Sequence, residues 1–586
     1  MSKNTPFLLL ISILIILIQF KSARASQTIV LDVGPLNYEE LKTSAKVTKQ
    51  QLELESTFTT EQSLQQQNQI VVNKNAGVGR YSTVFLQGSQ SSQILNLKNN
   101  FRNSDPSLPS RVFNYGDSLH GLTDSIQVIQ WPESIEFGTD ALAGVIQMKK
   151  KFSAQKYYRA DFMYGSFNTT QLKLQSQGQK LEWAITGLNS EGLSEVEGEG
   201  NEADSSRLSQ LEAAYKSNHA GVFRITVSDK KSDLDDYITA PQDDPNYYSE
   251  DRSYHFNWQK KFLKHYFVGV SFQQFHRHAV NQPDSESSKL IDEIYKAQSH
   301  QIYLKAKNIK DILDFGLDYF NEVADLPSLE LEKSQQHYGA WTKLNFNPFK
   351  DHNLNFGLRY YDIKNTQGFV YQSEYMIQLN SLAVWTRLSS GFKAASLSDL
   401  YTPSIGNSSL NDEKNTYFEL GTSYQTSLSL IKLLYFKNNY KDLIQFKQNE
   451  GLLNIGRAKI EGMELSSVSM IGSYQLTAFI NYWDSMNLET NKRLTLRPEW
   501  VLGLGLERKL ASFKYQVQGK YIGHRFDFAD NKLAAYIRWD VYLKYQITKN
   551  LNSYLNILNA FDANSKWAVG YNSQPRELYI GLSYGF

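Results

Sequence analysis

Cysteine is absent from the 586 residues of this chain, so disulfide bonds cannot hold its fold. An excess of one charge is absent too: 61 basic and 60 acidic residues give a net charge of +1 and are spread evenly. This balance argues against a nucleic-acid partner. Beyond the N-terminus, no stretch approaches the roughly 18 consecutive apolar residues of a membrane-spanning helix. A membrane protein with this sequence must therefore be a β-barrel, which satisfies all its backbone hydrogen bonds internally.

Residues 1–25 have the features of a secretory signal peptide. Lys3 precedes an apolar run at residues 7–20. Ala23 and Ala25 then supply the small residues of an A-x-A cleavage site. The run is short for a membrane helix, and an N-terminal anchor is the alternative interpretation. We predict cleavage after Ala25 and export of the mature protein from the cytoplasm.

The pattern of apolar and polar residues along the chain changes near residue 152. Residues 26–150 mix short strands, such as residues 83–86, with turns and a helix predicted near residues 48–66. From residue 152 onward, segments of about ten residues alternate large apolar with small or polar side chains. In residues 539–548, one face holds Val541, Leu543, Tyr545 and Ile547, and the other holds Asp540, Tyr542, Lys544 and Gln546. A polar inner face and an apolar outer face are typical of a transmembrane barrel.

Connection lengths in this region predict the same architecture. Tight turns, such as residues 262–265, alternate with long polar loops, such as residues 194–206 and 230–251. At roughly 20 residues per strand and connection, about 435 residues predict about 22 antiparallel strands. A barrel of that width needs something to fill its lumen. We expect an all-β transmembrane barrel with an N-terminal mixed α/β plug inside it.

The domain boundaries follow from these patterns. They are residues 1–25 for the signal peptide, 26–45 for a linker segment, 46–151 for the plug and 152–586 for the barrel.

Ordered motifs across the mature chain resemble one known family. Residues 77–99 and 125–148 are similar to two plug motifs of TonB-dependent outer-membrane receptors, within the branch related to the cobalamin (vitamin B12) receptor. The barrel motifs follow in the family's order at residues 389–401, 410–421, 452–465, 492–500, 555–562 and 568–586. The resemblance implies a receptor of the Gram-negative outer membrane, surrounded by lipid and lipopolysaccharide.

The resemblance also implies partners at both ends of the chain. Residues 27–34 stand where the family carries its TonB box, a β-prone segment that can pair with the edge of a partner sheet. The residues assigned to the box are Thr28, Ile29, Val30, Leu31, Asp32 and Val33. The implied partner is the TonB–ExbB–ExbD complex, and any short apolar segment after a cleavage site is the alternative interpretation. The resemblance further implies that the terminal Phe586 is part of the signal read by the barrel assembly machinery.

The plug departs from the family at two arginine positions. Gln87 and Gln130 stand where the family has arginines that pair with barrel glutamates, here matched by Glu419 and Glu464. A buried carboxylate without its cation loses compensation worth several kcal/mol. We therefore expect these glutamates to be protonated or bonded to glutamine, or the plug to be latched differently. Whether TonB coupling is intact is left open by these residues.

The chain has two acidic loops, and one of them is a candidate metal site. Five carboxylates lie close together at Asp233, Asp235, Asp236, Asp243 and Asp244. Such a group of oxygen donors can hold Ca²⁺, and a solvated acidic loop is the alternative. A second acidic loop holds Glu195, Glu197, Glu199, Glu202 and Asp204 and is interpreted as solvated charge. No cofactor other than this calcium is expected.

The functional prediction is import rather than catalysis. The chain has no P-loop, zinc spacing or HExxH motif, and GLSYG at residues 581–585 lacks the strand–turn–helix context of a nucleophile elbow. We expect TonB-dependent uptake of a scarce small molecule, a corrinoid or a ferric siderophore, into the periplasm. The alternative is a divergent surface receptor or passive channel that has lost TonB coupling. The sequence does not identify the residues that bind the ligand.

Overall fold

A computed structural model describes residues 45–75, 77–197, 203–235, 244, 246–283, 290–327, 331–363, 366–403, 405–447 and 450–586. Among these residues, none of the helices has the length and apolar character needed to cross a membrane. The chain folds into a small N-terminal unit of mixed helices and strands and a large closed barrel that surrounds it.

The N-terminal unit is the plug, and its elements are short. Its strands are β1 (Ala45–Val47), β2 (Ile70–Lys74), β3 (Ser82–Leu86), β4 (Ile94–Lys98), β5 (Phe101–Arg102), β6 (Ser125–Ile129) and β7 (Gly144–Lys149). Its helices are α1 (Lys49–Glu55), α2 (Thr60–Leu64) and α3 (Ser134–Phe137), with 3₁₀ turns at Ser91–Gln93 and Pro109–Arg111.

The single helix predicted near residues 48–66 is two helices. Thr48 begins α1 with a capping box, in which its side chain and that of Gln51 bond each other's backbone. Ser56 follows in the left-handed conformation (φ 44°), which ends the helix. The prediction of one continuous helix was therefore wrong, because a left-handed residue interrupts the pattern.

The plug folds around a mixed sheet of strand order β1-β6-β7-β4-β5. Strands β4 and β7 pair in parallel and the other neighbours are antiparallel, while β2 and β3 form a separate two-stranded ladder. The apolar core contains Ile70, Val84, Ile126, Val128 and Ile146, all buried. The plug is therefore a folded unit with its own apolar core.

Within the described residues, twenty-two long strands form the barrel. They are β8 (Tyr157–Gly165), β9 (Thr169–Gln177), β10 (Leu181–Ser190), β11 (Ser206–Ser217), β12 (Gly221–Asp233), β13 (Tyr248–Phe262), β14 (Tyr266–Asn281), β15 (Ile291–Ile309), β16 (Leu313–Leu326), β17 (Leu331–Phe346), β18 (His352–Ile363), β19 (Thr366–Leu379), β20 (Leu382–Lys393), β21 (Glu413–Gln425), β22 (Ser429–Lys447), β23 (Gly451–Ile471), β24 (Tyr474–Asn487), β26 (Trp500–Leu510), β27 (Phe513–Ile522), β30 (Tyr536–Gln546), β31 (Leu551–Leu558) and β32 (Glu577–Gly585). The short strands β25 (Lys492–Arg493), β28 (Arg525–Phe526) and β29 (Lys532–Leu533) and the helix α4 (Leu397–Tyr401) lie in its connections. The predicted 22-stranded antiparallel barrel with an N-terminal α/β unit is confirmed.

The last strand closes the barrel against the first. Strands β32 and β8 pair antiparallel, with Leu582 opposite Phe162. In β32 the outward side chains are 46–61% exposed at Leu578, Ile580, Leu582 and Tyr584. The inward Glu577, Tyr579 and Ser583 are at most 4% exposed. This alternation gives lipid an apolar surface and gives the plug a polar wall.

The two ends of the barrel differ. At one end, which we call the turn end, strands are joined by short connections such as residues 263–265 between β13 and β14. At the other, the loop end, connections such as residues 191–205 and 394–412 are longer. Several strands are much longer than the roughly 9–11 residues that a membrane requires. Strand β23, for example, has 21 residues.

Candidate functional site: a vestibule above the plug

A cavity of about 670 Å³ lies between the plug and the loop end of the barrel. We call it the vestibule. Its floor is formed by plug residues Arg80 and Tyr81 and by several residues of the segment 103–119. Its wall is formed by strands β11–β17, and helix α4 contributes Leu397, Ser398 and Tyr401. The inner faces of these strands and the polar plug loops therefore meet around one space.

Most of the charged side chains that the structure describes around the vestibule form ion pairs. Among the described residues, six acidic and six basic side chains line it. Four of the basic residues form five ion pairs, with these N–O distances: Lys230–Asp117, 3.1 Å; Arg252–Asp229, 2.7 Å; Arg80–Glu195, 2.5 Å; Arg277–Asp105, 3.8 Å; and Arg277–Asp251, 3.9 Å. Lys98 pairs with Glu212 of β11. The ammonium group of Lys333 lies 5.3 Å from the centre of the Tyr401 ring.

Aromatic rings supply the other part of the lining. They are Tyr81, Phe113, Tyr247, Phe275, Tyr295 and Tyr401. On the plug, burial raises the pKa of Asp105 and of Asp117, against the effect of Arg277 and Lys230 respectively. The floor therefore combines partly desolvated acids with aromatic surface. This is the mixture of apolar area and a few placed polar groups that small-molecule sites use.

The predicted latch residue Gln87 contacts a predicted glutamate. The amide of Gln87 donates to Glu464 Oε1 of strand β23 at 3.1 Å. The indole of Trp483 donates to the same oxygen at 3.2 Å. Gln87, Glu464 and Trp483 are all at most 4% exposed. A neutral hydrogen bond from the plug thus stands where the resemblance implies a charged one.

The second predicted glutamate, Glu419, is neutralised within the barrel. Arg387 of β20 donates to Glu419 Oε1 at 2.7 Å and pairs with Glu374 at 2.6 Å as well. The plug approaches this group through Trp131, whose ring centre lies 3.6 Å from the Arg387 guanidinium carbon. Gln130 is buried beside it, 5% exposed. The plug therefore meets a barrel arginine through an aromatic ring rather than supplying an arginine itself.

A buried ion pair at another position joins plug and barrel. Arg111 Nε donates to both oxygens of Glu322 in β16, at 2.8 and 2.9 Å. Its Nη1 donates to Asp140 at 3.1 Å, and Arg102 pairs with Asp140 at 2.9 Å. Glu322 is 0% exposed. No pattern in the sequence indicates this network, since its plug and barrel members are about two hundred residues apart.

A barrel lysine binds plug backbone. Lys520 of β27 is 1% exposed and donates to the carbonyl oxygens of Gln65, Gln67 and Ile70 at 2.8, 2.7 and 2.5 Å. These carbonyls belong to the connection between α2 and β2 and to the first residue of β2. The lysine thus fixes the first half of the plug without a plug side chain.

The aspartates of the calcium hypothesis are only partly described. Asp236 and Asp243 lie outside the described residues. The backbone N–H of Asp244 donates to Asp235 at 3.2 Å, and Asp233 accepts from Ser205 at 2.6 Å. Within the described part of the chain, no three His, Asp or Glu side chains are grouped so as to hold a metal ion.

The second acidic loop is not simply solvated charge. Glu195 and Asp204 are 1% and 0% exposed and enclose Arg80, with Asp204 at 3.8 Å. Glu197, by contrast, pairs with Lys566 at the surface. The interpretation was therefore wrong for Glu195 and Asp204, because a buried plug arginine draws them inward. Glu199 and Glu202 lie outside the described residues, as do the signal peptide and the TonB-box residues 28–33.

A closed 22-stranded barrel with a folded plug and a vestibule at its loop end defines a plugged outer-membrane receptor. The sequence profile described as TonB dependent receptor-like, beta-barrel matches residues 112–560. The chain belongs to this family. Its members are transport receptors of the outer membrane rather than enzymes.

Solved structures share this fold at low sequence identity. The siderophore receptor PirA from Acinetobacter baumannii is similar with a TM-score of 0.77 and 14% identity, over 92% of this chain and 98% of that one. A mutant of the ferric enterobactin receptor PfeA from Pseudomonas aeruginosa, in complex with enterobactin, is similar with a TM-score of 0.77 and 13% identity, over 93% of this chain and 99% of that one. The copper transporter OprC is similar with a TM-score of 0.74 and 13% identity, over 92% of this chain and 100% of that one. These likenesses establish the fold and leave the cargo unassigned.

Proposed function

We propose that the protein takes up a scarce small-molecule nutrient across the outer membrane, using energy delivered through TonB. The vestibule is the observation that carries the proposal. It is a cavity of about 670 Å³ whose floor is the plug itself, so that a bound ligand touches the element that would have to move. Family membership and the siderophore receptors among the structural neighbours support the same function.

A siderophore-type iron chelate is the cargo that the neighbours favour. A corrinoid is the alternative implied by the motif resemblance. In either case TonB would bind residues 28–33, and force on that segment would reach the plug through α1, which begins at Lys49.

Two experiments test the proposal. The first compares growth of cells with and without this chain on limiting iron chelate or limiting cobalamin. We expect growth to depend on the chain for one of the two nutrients. The second deletes residues 27–34, which should abolish uptake and leave surface binding intact. Uptake that persists after the deletion would favour the passive channel, and dependence on neither nutrient would refute the cargo assignment.

Calcium at the aspartate-rich loop is a separate proposal. Asp235 and Asp244 are at most 1% exposed and lie in contact with each other. Millimolar Ca²⁺ should raise the melting temperature of the purified protein, and the Asp235→Asn variant should lose that response. An equal response in both proteins would refute the site.

A further inference from the structure

The part of the vestibule lining that the structure describes offers a ligand little uncompensated charge. Of its six described basic residues, five form ion pairs with carboxylates and Lys333 faces the ring of Tyr401. An anionic ligand would have to compete with a resident carboxylate for each paired cation. Receptors of strongly charged ligands instead concentrate one sign of charge in the binding cleft.

Arg277 is the clearest example of this compensation. Its guanidinium carbon lies 4.8 Å from the centre of the Tyr295 ring, and Nη2 donates to Ser107 of the plug at 2.9 Å. Asp105 of the plug and Asp251 of the barrel stand within 4 Å of the same guanidinium. An anionic group that approached Arg277 would therefore also meet two carboxylates.

The aromatic residues point to the complementary property of the ligand. Tyr81 lies at the floor of the vestibule, yet its side chain is 45% exposed, whereas most large side chains of the plug are buried. Phe113 also lines the vestibule from the plug, and Tyr295 and Tyr401 contribute from the wall and from α4. Tyr81 is the exposed ring of this group, and the other three are half-buried. An exposed ring gains most by covering flat or apolar ligand surface.

We infer that the vestibule selects a ligand without net charge that presents flat or apolar surface, and that it disfavours polyanionic iron chelates. This inference rests on the proposed uptake function, within which the ligand class is closer to neutral tris-hydroxamate chelates than to tris-catecholates, which carry three negative charges. Asp251 stands within 4 Å of Arg277, and Glu293 of the same wall accepts a hydrogen bond from the Tyr295 hydroxyl. Both act as specificity determinants, since these two carboxylates lower the positive charge that the wall presents.

Binding by the purified full chain in detergent tests this inference, with two probes of similar size. One is a neutral ferric tris-hydroxamate, and the other is a ferric tris-catecholate. We expect the neutral chelate to bind at least about tenfold more tightly, with little dependence on salt because no net charge is neutralised. The double variant Asp251→Asn with Glu293→Gln should strengthen binding of the tris-catecholate by about tenfold and leave the neutral chelate unaffected.

The matched control is Asp292→Asn, adjacent to Glu293 on β15 but with its side chain 70% exposed and paired with His278. This variant should change neither affinity. Tighter binding of the trianion by the wild type, an unchanged preference in the double variant, or binding of neither chelate would overturn the inference. The assay involves no transport, so failure of TonB-dependent uptake in cells would refute the proposed function without altering this result.

Discussion

Gln87 of the plug donates a hydrogen bond to Glu464 of the barrel at 3.1 Å, at a position where the family resemblance implies an arginine. Both side chains are buried, and Trp483 supplies the second donor to the same carboxylate oxygen. The plug is thus held here by an uncharged donor, while a buried ionic contact lies elsewhere, between Arg111 and Glu322. We therefore expect a gain in plug retention when a cation is added at residue 87, and a loss of stability when the cation of Arg111 is removed.

Restoring a cation at residue 87 should strengthen plug retention. In Gln87→Arg, a charged donor would face Glu464, and a charge-assisted hydrogen bond adds roughly 1–2 kcal/mol over a neutral one. The measurement is the force needed to extract the plug in single-molecule pulling. Gln130→Arg is the comparison, because Glu419 already has a cation partner in Arg387, and a second arginine there would face Arg387 as well as the carboxylates, so its gain should be smaller. Equal forces for wild type and Gln87→Arg would count against the charged contact.

Removing Arg111 should destabilise the plugged state. Arg111→Met leaves Glu322 buried without its cation, which costs about 3–5 kcal/mol. Thermal unfolding in detergent and the sensitivity of the plug to protease should both report the loss. Lys447→Met provides the control, since its ion pair with Glu450 is 61% and 50% exposed and contributes at most about 1 kcal/mol. A change no larger than in the control would show that the network does not anchor the plug.

Stability should fall as the pH rises through the range governed by Glu55. This plug residue is 5% exposed, and burial raises its pKa from 4.5 to about 8, assisted by Glu507 and Asp540. Below pH 4.5 the carboxyl is neutral in both the folded and the unfolded chain. Between pH 4.5 and 8 only the folded form keeps the proton, so the native state loses about 1.4 kcal/mol of stability for each pH unit of increase.

Glu55→Gln should remove this dependence. Melting temperatures measured from pH 5 to pH 9 are expected to decline for the wild type and to decline less for the variant, which should be the more stable of the two at pH 9. If the melting temperature declined equally steeply with pH in both proteins, Glu55 would be excluded as the source of the pH dependence.

The barrel could be predicted from the sequence because its signal is local. Alternation along single strands, as at Leu578, Ile580 and Leu582, predicts which face meets lipid without knowledge of any partner strand. The secondary structure of the plug was harder to predict from the sequence, because a single residue in the left-handed conformation, Ser56, divides the predicted helix in two. Contacts such as Arg111–Glu322 depend on how the plug sits in the barrel, and no pattern along the chain encodes them.

The residues that line the vestibule were beyond sequence reasoning for a similar reason. Tyr81, Arg277 and Tyr401 come from the plug, a barrel strand and a loop helix, and only the closed barrel brings them to one cavity. The latch glutamates could be located by motif, and a glutamine partner, as Gln87 is for Glu464, was among the expected alternatives. The partner of Glu419 could not be predicted. Arg387, which neutralises Glu419, belongs to the barrel rather than to the plug.

If ligand passes through the barrel only when the plug moves, a disulfide that clamps the plug to the wall should block transport. A Cβ placed on Gly391 of β20 would lie 3.1 Å from the side-chain oxygen of Ser134 on the plug, close to the distance between Cβ and the partner sulfur in a disulfide. The same Cβ would lie 2.8 Å from Asn415 Oδ1, so the Asn415 side chain would have to shift. The chain contains no other cysteine, so the Ser134→Cys, Gly391→Cys pair can form only this intramolecular bond. We expect the oxidised variant to bind ligand without taking it up, and a reductant to restore uptake. Uptake by the oxidised variant at the rate of the reduced one would show that the plug need not move.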